Sequence, residues 1–452
     1  MERVIVRRCE SYDRDRITAV VAEGLIQLGV EIRGRTFVKP NVVFAGDPEI
    51  FGRHAYTHPT FVGAALSALS RAPGVERLDL GENSAVGFPT RHCYRHAGYF
   101  DEIDRVQGGA GCPVGIFCID EEPRDRVPVG GVVHDDLALA RTVARAETKV
   151  YLPKLKCHCV SRMTGAVKLN IGLCGDDERA IRHDFMLNDK IVDLLAVGWP
   201  DLVVMDAIEV GVGNEAFPSP RQLGLVLIGT NPVAVDLVGA RLLGLGPADV
   251  PYLARAIERG YRPVALEELV LEGDVTDPAE LDRLARTLQP DDPAFGAWQD
   301  IGRELARLGS PLRFFWGAHR RGQGERCETG CVMGVKMFLA SYERYAGAEA
   351  FRCGKPAVFV VGRVEEPIDA AGAEVFLVGK CATARVENAR KVIRVDRCFT
   401  TARDLTFAIG RRLGIPAPIS DPRMLGGLVR DTVGSSLAKL TSRRLFQDLW
   451  RK

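Results

Sequence analysis

The sequence predicts an α/β protein: a large, mainly parallel sheet with helices on both faces, plus a smaller α/β domain towards the carboxyl end. Three observations predict it. The chain has 452 residues, past the ~250–300 at which a single core tends to split. Apolar, β-rich runs alternate with amphipathic helical stretches, which is how a chain reads when helices join parallel strands. The character changes over residues 262–325, and the alternation then resumes on a smaller scale.

In chain order, a strand at 4–6 precedes a helix at 15–28, and a strand at 36–38 precedes a helix at 62–70. Further strands fall at 75–80, 148–152, 202–205 and 223–228. Residues 1–260 therefore read as one α/β domain. Residues 261–325 read as a helical connecting segment, closed by the polar, glycine-rich stretch at 320–324. Residues 326–415 read as a smaller α/β domain, with a helix at 332–345, strands at 357–361, 374–378 and 392–395, and a helix at 401–413. Residues 416–452 form a tail punctuated by Pro416, Pro418 and Pro422. Its end, Leu437 to Leu440 and Arg443 to Trp450, reads as a short basic amphipathic helix, packed on its own domain or against a partner or membrane surface.

Lys plus Arg is 60 and Asp plus Glu is 59, so no global field attracts nucleic acid or anionic lipid. The amino terminus lacks the apolar stretch of a secretory signal. No run of roughly 18 apolar residues exists, and the best stretch, 223–245, is broken by Asn231, Pro232, Asp236 and Arg241. These features predict a cytoplasmic protein without an integral membrane segment or nucleic-acid partner. In that compartment the 12 cysteines are buried thiols or metal ligands before they are disulfides.

Residues at the carboxyl ends of parallel strands line the usual ligand crevice. Lys39 and Asn41 follow the strand at 36–38, where a lysine meets an anion and an asparagine orients it. Thr57-His58-Pro59 opens a helix, with Thr57 placed to cap and His58 at the positive end, as a candidate acid/base or a structural histidine. Glu82 ends another strand as a candidate base, metal ligand or cap.

The densest stretch follows the strand at 148–152. It brings Lys154, Lys156, His158, Thr164 and Lys168 within 15 residues and no acid among them. Unpaired cations at a sheet edge need solvent or an anion, which predicts a carboxylate or phosphate substrate. His158 is a second candidate acid/base. Cys157, Cys159 and Cys174 surround it as soft ligands or buried thiols. Asp206, with Asn214 in the loop beyond it, and Asp236 are placed to orient the lysines, bind a metal or cap a helix.

A second cluster lies in the smaller domain. Cys327 and Cys331 open a helix, which favours thiolates, and Cys381 and Cys398 follow strands. If those strands are parallel, all four thiols meet at one edge, as a zinc or iron–sulfur site or as buried thiols. Cys353 is spare.

On these residues, segment 36–240 resembles the uncharacterised family known as domain of unknown function 362. The resemblance rests on Lys39-Pro40-Asn41, Thr57-His58-Pro59, Pro153 to His158, Thr164-Gly165-Ala166-Val167-Lys168, Asp206 with Gly213-Asn214, and Asn231 to Asp236, in the family's order. It implies an iron–sulfur association, since many members look like iron–sulfur proteins with a ferredoxin-type module. This chain has no C-x-x-C-x-x-C run, and Cys157 and Cys159 stand where Thr or Ser is expected. His158, Thr164, Gly165 and Lys168 also resemble the histidine-to-lysine pattern of nickel-pincer lactate racemases.

The sequence thus predicts an iron–sulfur (4Fe-4S) or, alternatively, zinc-dependent protein with redox chemistry on a small anionic substrate. That reading implies an electron-transfer partner. The competing class is a non-catalytic metal- or cluster-binding carrier or scaffold.

Overall fold

The computed structural model describes residues 1–320 and 324–441. The chain divides into two compact units that do not follow chain order. The larger comprises Met1–Arg179, Asn188–Phe295 and the chain from Leu428; the smaller comprises Ala180–Leu187 and Gly296–Gly427. Residues 321–323 of the glycine-rich stretch, and the basic segment 443–450, lie outside the described residues.

The larger unit is built on β1 (Glu2–Arg8), β2 (Gly34–Pro40), β3 (Val75–Glu82), β4 (Val114–Cys118), the hairpin β5 (Arg124–Pro128) and β6 (Asp136–Ala140), β7 (Thr148–Leu152), β8 (Lys154–His158), β9 (Arg162–Thr164), β10 (Leu202–Val212), β11 (Ser219–Gly229) and β12 (Leu269–Gly273). Its main sheet has 10 strands, ordered β12-β1-β11-β10-β7-β2-β3-β4, with β8 beside β10 and β9 beside β8. The half from β10 to β4 is parallel. Helices on its faces explain why Val38, Leu80, Val150, Leu202 and Val204 are all fully buried. The antiparallel hairpin of β10 and β11 closes the other half against β1.

Local chemistry sets the helices. Asp13 caps Arg14–Leu28, and Gly29, at φ 66°, ends it in the left-handed region. Asn231 caps Pro232–Leu242 by accepting from Val233 N and Ala234 N.

Segment 261–325 is not the helical connector expected from its composition. It carries β12, paired parallel with β1 in the large sheet, and β13 (Leu312–Trp316), an edge strand of the smaller unit. Each is short, and flanking helices mask it in a window-based reading. The stretch after Leu152 also departs from expectation. Residues to which the sequence assigned no element form β8 and β9, because Pro153, which has no N–H to donate, ends pairing with β2 while its carbonyl accepts Asp206 N at 2.8 Å.

The smaller unit has its own parallel sheet, ordered β13-β14-β16-β18, from β13, β14 (Ala357–Arg363), β16 (Glu374–Thr383) and β18 (Lys391–Val395). The short pair β15 (Ile368–Asp369) and β17 (Val386–Glu387) lies outside it. Val358, Val360, Val375 and Ala382 centre one apolar cluster of this unit. The helix Cys331–Arg352 opens at Gly330, whose φ of 61° lets the chain turn into it.

Candidate functional site

The carboxyl edge of β2, β3 and β7, continued by β8, gathers three buried lysines, and each has a protein partner. Lys39 pairs with Glu82, whose carboxylate also accepts Val42 N at 3.2 Å and Asn83 N at 2.8 Å. Burial pushes the Lys39 ammonium down and Glu82 pulls it back up, for a net lowering. Lys154 Nζ donates to Asp206 Oδ2 at 2.9 Å and to Tyr12 OH at 2.6 Å. Asp206 faces it across the β8–β10 register and also accepts His58 N at 3.1 Å and Ile208 N at 3.2 Å. Lys156 Nζ meets two backbone carbonyls, Ala55 O and, at 2.9 Å, Glu215 O. Burial pushes it well below the usual lysine range.

The expectation of unpaired cations is thereby corrected. The acids absent from the local sequence arrive from β3 and β10, because a parallel sheet brings distant strand ends to one edge. Glu82 acts here as the partner of Lys39. Among the predicted lysines only Lys168 is half-buried, in the turn that follows β9. Burial pushes its ammonium down to about 8, against the pull of Glu215 and Cys159.

His58, not Thr57, caps the helix Pro59–Leu69: its Nδ1 accepts Thr60 N at 3.2 Å. Thr57 Oγ1 instead donates to Leu152 O at 2.6 Å and accepts Asn41 N at 3.0 Å, tying β2 to β7. The His58 ring stacks on Tyr12 at 3.7 Å, and burial pushes its pKa down to about 4 even though Asp206 pulls the other way.

His158, Cys159 and Glu215 offer ligand atoms that lie within 4.8 Å of one another, close enough to hold a metal ion. The β10–β11 loop brings Glu215 there. His158 Nε2 lies 3.4 Å from Glu215 Oε1; Cys159 N donates to Oε2 at 3.0 Å, and Cys159 Sγ lies 3.5 Å from Oε1. Burial opposes ionisation of Glu215, but His158, backbone N–H donors and Lys168 bring it down to about 2. His158 Nδ1 accepts Val160 N and Ser161 N, both at 3.2 Å. Those bonds put the ring proton of neutral imidazole on Nε2, facing the carboxylate, so a metal there must displace it.

Three predicted residues keep a buried polar atom without a partner: Asn41 Oδ1, Thr164 Oγ1 and Asn214 Nδ2. Thr164 lies opposite Lys156 across β8 and β9, and Asn214 precedes the residue whose carbonyl Lys156 meets. Two residues of this cluster escaped the sequence reading. The signal that could have found Glu215 is its place one residue after Asn214, as the acid a lysine-rich edge requires; Tyr12, an aromatic in a loop, left no signal.

Asp236 holds the turn that bears Lys168. Its oxygens accept Ala166 N at 2.6 Å, Val167 N at 3.0 Å and Tyr252 OH at 3.2 Å. Asp236→Ala is expected to cost about 1–3 kcal/mol for each orphaned donor, read from urea unfolding. Burial pushes its carboxyl up to about 7 despite those donors. A raised acid binds more protons folded than unfolded, so its contribution to stability falls as pH rises from about 4 through about 7. Asp236→Asn removes that slope, which the difference between wild-type and variant unfolding midpoints across the window measures.

In the smaller unit, Cys327, Cys331, Cys381 and Cys398 line one cavity, with Asp184 and His319. Parallel pairing of β16 and β18 explains the arrival of the last two, although Cys381 lies within β16 rather than after it. Thr400 N donates to Cys331 Sγ at 3.3 Å. A Cβ on Gly379 would lie 2.6 Å from Cys331 Sγ, and one on Gly330 3.3 Å from Cys327 Sγ, so glycine leaves the space these sulfurs fill. The helix start does not keep the thiols ionised, as the sequence reading expected: burial pushes Cys327 up to about 12 and raises Cys331. A cation in the cavity reverses that balance, since metal-bound thiols are thiolates. Among the described residues only His158, Cys159 and Glu215 bring three ligand atoms within 4.8 Å of one another, so the four sulfurs stand too far apart here for a single zinc ion, and the wider ligand spacing of an iron–sulfur cluster suits them better.

Among the described residues, no helix is long and apolar enough to cross a membrane. The chain is 26% identical over 290 residues to a thylakoid-associated protein, sll1697, of Synechocystis, covering 62% of this chain and 85% of the relative. Two solved structures are distant neighbours. A lactate racemase apoprotein from Thermoanaerobacterium thermosaccharolyticum has 7% identity and a TM-score of 0.33, covering 79% of this chain and 68% of that one. A structural-genomics protein from Thermotoga maritima has 10% identity and a TM-score of 0.28, covering 59% and 61%. Likeness at those scores carries no argument. The family comparison is firmer: residues 36–241 match the family model Domain of unknown function (DUF362), the family that the sequence motifs resemble.

Proposed function

We propose that the larger unit acts on a small anionic substrate, a carboxylate or phosphate, and that the four cysteines of the smaller unit hold an iron–sulfur cluster (4Fe-4S), with zinc as the alternative. The carrying observation is the set of buried, unpartnered polar atoms on Asn41, Thr164 and Asn214, beside an edge rich in lysines. A buried polar atom without a partner costs roughly 1–3 kcal/mol, which a ligand that meets it returns as binding energy. In this reading Lys168 supplies the charge or the proton. Lys39, Lys154 and Lys156 sit behind it, held in place by Glu82, Asp206 and Glu215. His58 is neutral at pH 7, and because its Nδ1 accepts Thr60 N its ring proton sits on Nε2, from which it can donate a hydrogen bond to the anion. His158 positions Glu215 against Lys168. A bound cluster would supply single electrons, and so requires an electron-transfer partner.

Calorimetric titration of the full chain with lactate, pyruvate and inorganic phosphate tests the substrate class. One of them should bind, and Thr164→Val and Lys168→Met should each weaken it by at least about tenfold. Failure of all three removes the reading. The proton role has its own signature: the amine of Lys168 should become reactive as pH rises through about 8, read by mass spectrometry after reductive methylation. A midpoint at the ordinary lysine value of about 10.4 contradicts it.

A non-catalytic carrier is the second reading, favoured by the internal partners of three of the four lysines. We place the chain in the cytoplasm, as its sequence predicts. The thylakoid association in the name of the Synechocystis relative makes a membrane surface the first place to look for it within that compartment.

A further inference from the structure

The helix Pro422–Thr441 is inside out over its part in the larger unit. Residues 431, 434, 435 and 438 are buried, and they are polar or small: Asp431, Gly434, Ser435 and Ala438. Asp431 bonds His92 Nδ1 at 3.0 Å and faces Arg95, and Lys439 pairs with Asp120. The aliphatic side chains point the other way. Val429, Val433, Leu437 and Leu440 are 52%, 49%, 38% and 82% exposed. Spacings of four, four and three place them on one helix face. A helix that packs only on its own domain has the opposite arrangement.

We propose that this face docks on an anionic lipid surface. The sequence that follows supplies the charge: residues 442–452 hold Arg443, Arg444, Arg451 and Lys452 against one acid, Asp448, among Leu445, Phe446, Leu449 and Trp450. An apolar stripe next to cations and aromatic residues suits the headgroup boundary, where cations meet lipid phosphates and the stripe enters the acyl edge. A second copy of the chain is disfavoured as occupant, because it brings two such basic segments together. The helix lies on the surface and does not span it.

The test is sedimentation of the full chain with vesicles of phosphatidylcholine alone and with phosphatidylglycerol added at roughly one part in four. The wild type should pellet with the anionic vesicles, and less so at high salt. Val433→Gln with Leu437→Gln should release it by about tenfold, with an unchanged melting profile because both positions are exposed. Arg443→Ala with Arg444→Ala should weaken it without touching the helix face. Three results overturn the proposal: no binding by the wild type, undiminished binding by the stripe variant, or a wild-type dimer that the stripe variant converts to monomer without vesicle binding.

Discussion

Asp206→Ala is expected to destabilise the larger unit by about 3–5 kcal/mol, a large share of the roughly 5–15 kcal/mol by which a domain is stable. The carboxylate is fully buried and accepts from four groups: Lys154 Nζ, Tyr12 OH, His58 N and Ile208 N. Its loss leaves the Lys154 ammonium, 1% exposed, with Tyr12 OH as a partner but no counter-charge. Lys154→Met alone should also be costly, because it strands the carboxylate. Lys154→Met combined with Asp206→Leu should recover part of the loss, since removing both charges leaves neither uncompensated. Urea unfolding of the three variants measures this. A cost below about 1 kcal/mol for Asp206→Ala shows that water already reaches the pair.

The second large effect concerns the cysteine cavity. Anaerobically purified protein is expected to carry stoichiometric iron, or zinc, and Cys331→Ser or Cys398→Ser should lose at least about nine-tenths of it. Cys353→Ser should not, because Cys353 is exposed and outside the cavity. Metal analysis with absorption spectra gives the result. Thiol titration adds an independent reading: stripping the metal should leave Cys327 slow to react, since burial raises its pKa to about 12. A folded wild type without metal returns the four residues to ordinary thiols.

Much of the fold was legible because its strands are long or apolar. The strands at 36–38, 75–80, 148–152 and 202–205 stand out as β-branched and leucine-rich runs; that at 148–152 is found with the same bounds, and the other three lie within longer strands, the last of them 11 residues long. The short strands were not legible. β12 and β13 have five residues each and lie among helices, and β8 and β9 carry charged and polar residues that break the apolar run by which a buried strand is recognised.

The site divides in the same way. Sequence by itself determined the inventory: lysines, an asparagine and histidines after parallel strands, and four cysteines after or before elements of a second sheet. Those are matters of residue type and period, which are local. Only the tertiary structure decided the pairing. Lys39 with Glu82, Lys154 with Asp206 and Lys156 with the Glu215 carbonyl join residues 43, 52 and 59 positions apart. No local window contains both members of such a pair. A buried ammonium must find its partner wherever the sheet topology delivers one, and here the topology delivered carboxylates to Lys39 and Lys154, backbone carbonyls to Lys156, and left Lys168 half-buried at the edge.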